Sequence, residues 1–150
     1  MLKVRILISI VMLLICSFED IRDKKINIVT LLVSGVVGEI LRVFSEENLA
    51  FNAVVVSLIP GAALLILTRF FKGIGDGDAY VFIALGMLFD LKVLLLTLYL
   101  AFISGGIYAL YLKLYRRANS DDGFAFVPFI TLGFLICIAS KIITEKVLYP

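Results

Sequence analysis

Long apolar runs dominate this sequence and restrict the folds that it can adopt. Of its 150 residues, 62% are hydrophobic and 17% are charged, and the mean hydropathy is +1.11. Soluble domains are nearer half apolar, and so few charged residues cannot cover the surface of a water-soluble domain of this length. The composition therefore predicts an integral membrane protein.

Six apolar stretches are distinguishable along the chain. They cover roughly residues 2–18, 28–44, 49–71, 79–89, 91–115 and 124–147, and the fourth is short for a full span. The strand alternation of a membrane barrel is missing, and in lipid a helix satisfies its own backbone hydrogen bonds. We therefore predict an all-α, polytopic membrane protein with about six transmembrane helices in one domain, residues 1–150.

The basic residues of the short loops predict an orientation. Alternating crossings put three loops on one side of the membrane, namely residues 19–27, 72–78 and 116–123. Eight lysine and arginine residues lie near that side, and six lie near the opposite side. Because positive charge is favoured on the cytoplasmic side, we predict that these three loops face the cytoplasm.

The composition also limits the chemistry. The sequence contains no histidine, and its two cysteines, Cys16 and Cys137, both lie inside apolar runs. Catalysis by Ser-His or Cys-His pairs and metal sites built on histidine are therefore excluded, and no disulfide or zinc framework is indicated. The basic residues form no stripe of the kind that binds nucleic acid. We expect no metal, no cofactor and no nucleic-acid partner, so hydrolysis would depend on carboxylates, lysine or tyrosine.

Two acidic patches lie at the ends of apolar runs. One follows the first run, at residues 19–23, and the other lies in a glycine-rich break before the fourth run, at residues 73–78. The predicted topology places Asp20 and Asp76 on the same side of the membrane. Two carboxylates in one site repel, so that one of them keeps its proton. The charged one can take a proton from water while the other donates a proton to a peptide carbonyl, which makes Asp20 and Asp76 candidate catalytic residues.

The glycines of the second patch explain how a substrate could reach this pair. Gly73, Gly75 and Gly77 remove side-chain bulk and permit backbone angles that other residues avoid. An extended peptide could therefore approach the carboxylate closely. We expect these three glycines to shape the cleft.

Three motifs in order resemble one family. Gly73-Ile74-Gly75-Asp76 is the Gly-x-Gly-Asp signature of intramembrane-type aspartyl proteases. Residues 20–26 resemble the first aspartate motif of the type IV prepilin peptidases, and residues 124–129 resemble the proline-containing entry into that family's last helix. The length, the apolar runs and the motif order are similar to those of its short members.

The resemblance implies an aspartyl endopeptidase that cleaves the leader from prepilin or pseudopilin substrates of type IV pili or protein secretion. Cleavage would occur at the cytoplasmic face of a prokaryotic plasma membrane, with Asp20 and Asp76 at the two catalytic positions. The zinc-cysteine module of larger members is absent, so we expect cleavage without N-methylation. Basic loop residues could also meet anionic lipid headgroups. The sequence is also compatible with a homo-oligomer.

Some positions depart from the family pattern. Asn27-Ile28 stands where Pro-Asn is usual, Asp78 stands where lysine is common, and Ala125 replaces a frequent proline. Asp23 and Asp78 are second-choice acids, more typical of loop carboxylates than of catalytic ones. Asp23 lies about one helical turn beyond Asp20.

Two other functions stay open. Proteases of the signal-peptide-peptidase type share the Gly-x-Gly-Asp signature, but they are much longer. A small transporter or a secretion or pilus assembly protein would need no catalytic acids. Proton-coupled transporters usually place their acids at mid-membrane. The acids of this chain lie at the ends of apolar runs, which favours the peptidase.

Overall fold

A computed structural model describes residues 2–45, 51–70, 75–115 and 124–148 of the protein. The described residues form helices and their connections, without a strand. The six helices are α1 (Leu2–Asp23), α2 (Ile28–Ser45), α3 (Phe51–Phe70), α4 (Asp76–Leu88), α5 (Leu91–Tyr115) and α6 (Val127–Leu148). The all-α prediction is confirmed. Gly73 and the loop 116–123 lie outside the described residues.

Two of the described helices are long and apolar enough to cross a membrane. They are Asn52–Phe70 in α3 and Leu91–Tyr115 in α5, and Val127–Ser140 in α6 is a shorter apolar helix. Many large apolar side chains of the described helices also point outward, among them Ile107 on α5. A crossing by all six helices stays a prediction.

Helix α4 lies at the centre of the helical assembly, in contact with α1, α2, α3 and α5. Most of its apolar side chains are buried, including Phe82, Leu85 and Leu88. This position explains why the fourth apolar run is short and shows no polar face. The chain returns from α4 to α5 through a turn at Asp90.

A buried arginine secures that turn. Arg42, near the end of α2, is fully buried, and its guanidinium donates to the backbone oxygens of Gly86 at 3.3 Å and Phe89 at 3.4 Å. It also pairs with the carboxylate of Asp90. The charge of Arg42 is therefore compensated, and α2 is tied to the far end of α4.

Helices α3 and α4 approach each other so closely that their contact has no room for side chains at two glycines. A Cβ atom on Gly86 would lie 2.6 Å from the backbone oxygen of Ser57, and one on Gly61 would lie 2.7 Å from the backbone nitrogen of Ile83. Small residues at such positions let helix backbones pack directly.

We expect the Gly86→Ala variant to be less stable by about 1–3 kcal/mol, since a backbone atom cannot move aside as a side chain can. The matched control is Gly106→Ala on α5, where an added Cβ meets no described atom within 4 Å. Thermal unfolding in detergent would measure both. A Gly86→Ala protein that melts at or above the wild-type temperature would contradict the close α3–α4 contact.

Candidate active site

The end of α1 presents Asp20 to the start of α6. The Oδ2 atom of Asp20 accepts a hydrogen bond from the backbone N–H of Val127 at 3.0 Å. Burial raises the pKa of Asp20, which lies beyond the apolar run of α1, while hydrogen bonds from the amides of Val127 and Phe126 and the charge of Lys24 limit the rise. The first N–H groups of a helix have no partner within the helix and favour a negative charge. Asp20 therefore occupies an anion-binding position.

A second hydrogen-bonded contact holds α1 against α6 one turn away. The hydroxyls of Ser17 and Thr131 lie 2.7 Å apart, and Thr131 also donates to the backbone oxygen of Val127 at 3.0 Å. Pro128 follows Val127 in the first turn of α6, where a proline removes only an N–H that the helix does not use. These contacts set the position of Asp20 relative to the α6 N-terminus, and α6 begins at Val127, within the predicted proline-containing entry at residues 124–129.

The connection between α1 and α2 is short and closely held. Lys24 adopts a left-handed conformation, with φ at 51°, and its amide donates to the backbone oxygen of Asp20 at 3.1 Å. The carboxylate of Glu19 accepts the amide of Asn27 at 2.9 Å, and the side chain of Asn27 accepts the amide of Val29 at 2.9 Å. Asn27 thus caps α2, so asparagine suits this position.

The first turn of α4 packs on this connection. A Cβ atom on Gly77 would lie 2.6 Å from Cδ1 of Ile26, so the small residue permits the contact. None of the described glycines has a positive φ, and Gly75 has an ordinary extended conformation with φ at −76° and ψ at 139°. These two glycines thus have backbone angles that other residues also adopt, and their part in shaping the cleft stays a prediction. The expected break is shorter, because α4 already begins at Asp76.

Asp78 lies in the first turn of α4 and is directed into the protein. It is only 8% exposed. Burial and, to a smaller extent, the nearby charge of Asp20 together raise the pKa of Asp78 to about 7, against the opposing effect of a hydrogen bond from the Gly75 amide. The structure thus brings Asp20 and Asp78 within electrostatic range of each other, on α1 and α4.

The other two acids lie differently. Asp76 is exposed, and its Oδ1 atom accepts a hydrogen bond of 2.6 Å from the hydroxyl of Thr68, near the end of α3. Asp23 is exposed as well and lies 3.8 Å from the side chain of Arg22. Asp76 therefore links α3 to α4, and Asp23 lies at the surface.

An apolar cavity of about 190 Å³ opens beside Asp78. Its other walls come from α3, α5 and the segment before α6, and they include Leu64, Phe102, Gly105, Gly106, Phe124 and Phe126. Phe126 immediately precedes the amide that binds Asp20. The cavity is thus lined by Asp78 itself and by the residue that precedes the amide bound to Asp20.

The family model for the type IV leader peptidases matches residues 7–110, about two thirds of the chain. The chain belongs to the type IV leader peptidase family. The matched span contains Asp20, Asp76 and Asp78 and ends within α5. Helix α6, whose first amide binds Asp20, lies beyond it. No curated protein and no solved structure matches the chain.

For this member of the leader peptidase family, the Gly-x-Gly-Asp signature can be aligned in two ways. Gly73-Ile74-Gly75-Asp76 ends on Asp76, and the overlapping Gly75-Asp76-Gly77-Asp78 ends on Asp78. Sequence reasoning that starts from the first glycine finds Asp76 as the primary candidate and leaves Asp78 as a second choice. The repeated Gly-Asp pair was the available signal for Asp78. Burial separates the two acids in the folded chain.

Proposed function

We propose that this protein is a membrane aspartyl endopeptidase that cleaves the leader from type IV prepilin-like proteins. Membership of the leader peptidase family supports the substrate class. The observation that carries the catalytic proposal is the buried carboxyl of Asp78 in the electric field of Asp20. Two carboxyl groups with environments this different are a recurring arrangement for general acid and base catalysis.

We assign the second catalytic position to Asp78 instead of Asp76. Asp76 is exposed and engaged by Thr68, whereas Asp78 shares a cavity wall with Phe126, next to the amide that binds Asp20. Gly75 precedes Asp76 and Gly77 precedes Asp78 in the chain, and the small size of Gly77 lets the first turn of α4 lie close to the α1–α2 connection.

The environments of the two acids assign their roles. Asp20 receives hydrogen bonds at the α6 N-terminus, which stabilise its charged form, so Asp20 serves as the general base. Asp78 is more deeply buried and holds its proton up to a higher pH, so it serves as the general acid.

The reaction then needs only water and this pair. Asp20 takes a proton from the water while the water oxygen attacks the peptide carbonyl carbon, and Asp78 donates its proton to the carbonyl oxygen. When the tetrahedral intermediate collapses, the C–N bond breaks, Asp20 gives its proton to the leaving nitrogen, and Asp78 recovers its own. The products are a carboxylic acid and an amine, without a covalent enzyme intermediate.

The apolar exterior supports a membrane setting. We propose that the six helices cross the plasma membrane of a prokaryote and that the end with Asp20 and Asp78 faces the cytoplasm. Two described helices have the length and composition for a crossing, and outward-facing apolar side chains suit contact with lipid. A prepilin-like substrate has its own apolar helix, which would lie beside the enzyme in the same bilayer.

The decisive experiment mixes the purified protein, in detergent or lipid, with a peptide that carries a basic leader followed by an apolar helix. We expect cleavage at one bond between the two parts, identified by mass spectrometry of the products. A peptide of the same composition with a scrambled leader junction is the control and should stay intact. Failure to cleave any prepilin-like peptide would favour a non-enzymatic role in transport or assembly.

The same assay has an expected pH profile. Because the pKa of Asp78 is raised to about 7 in the free protein, kcat/KM should fall about tenfold per pH unit above pH 7, as the general acid loses its proton. Towards low pH the rate should also fall, because Asp20 becomes protonated. The apparent pKa values of the two limbs belong to the coupled pair of acids and not to either acid alone. A flat profile between about pH 6 and 9 in a fully folded sample would contradict the assigned acid.

A further inference from the structure

The residues that line the apolar cavity beside Asp78 determine which kind of ligand it can bind. Among the described residues that line it, Asp78 alone has an ionisable side chain, and the rest are aliphatic, aromatic or glycine. Phe126 lies close to both Phe102 and Phe124, with ring centroids 5.6 Å and 6.3 Å away. A ligand that suits these walls is apolar over most of its surface and carries a polar atom at one end.

The volume suits a single large side chain. An apolar cavity of about 150 Å³ in a protein core can hold a benzene molecule. At about 190 Å³, this cavity has room for one aromatic ring or a large aliphatic side chain. It is too small to enclose a length of helix, so the part of a substrate that enters it is a side chain.

Two adjacent glycines on α5 differ in what they pack against. A Cβ atom on Gly105 would lie 2.7 Å from Cε2 of Phe126, so Gly105 allows that ring to pack. A Cβ atom on Gly106 would meet no described heavy atom within 4 Å. A glycine inside a helix costs about 1 kcal/mol relative to alanine. At Gly106, packing against the described residues does not require a glycine and so does not explain this cost. The absence of a side chain at Gly106 leaves the cavity open.

We propose that this cavity binds the large apolar side chain next to the scissile bond of the substrate, and that Gly106 sets the size that it accepts. This rests on the proposed function. A peptide carbonyl that receives a proton from Asp78 lies at the cavity wall, and a neighbouring side chain is then within reach of the interior. A lipid chain would fill the apolar part but would offer Asp78 no hydrogen-bond partner.

The test compares two prepilin-like peptides that differ only in having phenylalanine or alanine beside the scissile bond, placed before it in one pair and after it in another. The wild-type protein should prefer phenylalanine at one of these positions. In Gly106→Leu, we expect the ratio of kcat/KM for the phenylalanine and alanine peptides to fall by about 10- to 100-fold, because the added side chain occupies the cavity. The smaller Gly106→Ala variant should give an intermediate ratio.

The ratio separates size selection from damage to the fold, since misfolding lowers the rates for both peptides alike. Ile107→Phe adds bulk at the next residue on the outer face, where the side chain is 67% exposed, and should leave the ratio unchanged. An unchanged ratio in Gly106→Leu, or a wild-type protein without preference at either position, would overturn the proposal, as expected if lipid fills the cavity. A wild-type protein that cleaves none of the peptides would instead refute the proposed function.

Discussion

Asp78→Asn is expected to lower kcat for leader cleavage by about 10²- to 10⁴-fold, the range for loss of a general acid. Asparagine keeps the shape of the side chain but has no acidic proton to give to the substrate carbonyl. The matched variant is Asp76→Asn, which keeps the Oδ1 acceptor for the Thr68 hydroxyl and should cleave within about threefold of the wild-type rate. Single-turnover cleavage of a prepilin-like peptide would measure both variants.

This pair of variants decides between the two alignments of the Gly-x-Gly-Asp signature. If Asp76→Asn is inactive and Asp78→Asn cleaves normally, the catalytic pair is Asp20 and Asp76, as the first alignment predicts. If both are inactive, the whole first turn of α4 takes part in the chemistry, and the assignment of Asp78 alone is wrong.

Thermal stability gives an independent check on Asp78. Its pKa is raised in the folded protein from 3.8 to about 7, so between about pH 4 and pH 7 the unfolded chain binds fewer protons than the folded one. The free energy of unfolding contributed by Asp78 therefore falls as the pH rises through this window and stays low above it. Asp78→Asn should consequently raise the melting temperature more at pH 8 than at pH 4. An equal shift at both pH values would contradict the buried, protonated carboxyl.

Asp20→Asn is expected to reduce kcat by a similar factor of about 10²- to 10⁴-fold, because asparagine cannot accept a proton from the attacking water. The remaining amide oxygen can still accept the N–H of Val127, so the start of α6 should keep its partner. The exposed Asp23 on the same helix gives the matched control, and Asp23→Asn should cleave at nearly the wild-type rate.

A third substitution separates the chemical role of Asp20 from its structural one. Asp20→Ala removes both oxygens from the α6 N-terminus and should lower stability by about 1–2 kcal/mol, the usual cost of losing a helix cap. We expect Asp20→Asn and Asp20→Ala to be equally inactive but to differ in melting temperature. An active Asp20→Asn protein would show that Asp20 only caps α6, and the proposed mechanism would fail.

The apolar runs predicted a helix well where the apolar residues extend to both ends of that helix. The predicted runs at 28–44 and 91–115 correspond to α2 and α5 almost residue for residue. The fourth run began too late, at residue 79, because Asp76 and Asp78 are polar and yet belong to the first turn of α4. Carboxylates are favoured there by the partial positive charge of a helix N-terminus, which hydropathy does not register.

Within the site, the sequence determined that Asp20 and the glycine-rich turn lie at the ends of apolar helices, because runs of this length and composition must form helices with their polar residues at the ends. It could not choose between Asp76 and Asp78, since both complete the same signature. Residues two apart on a helix point about 200° away from each other, so only one of these acids can face inward. The packing of α4 among α1, α3 and α5 decided that it is Asp78, and burial beside Asp20 then raised the pKa of this acid, which supports its proposed role as proton donor.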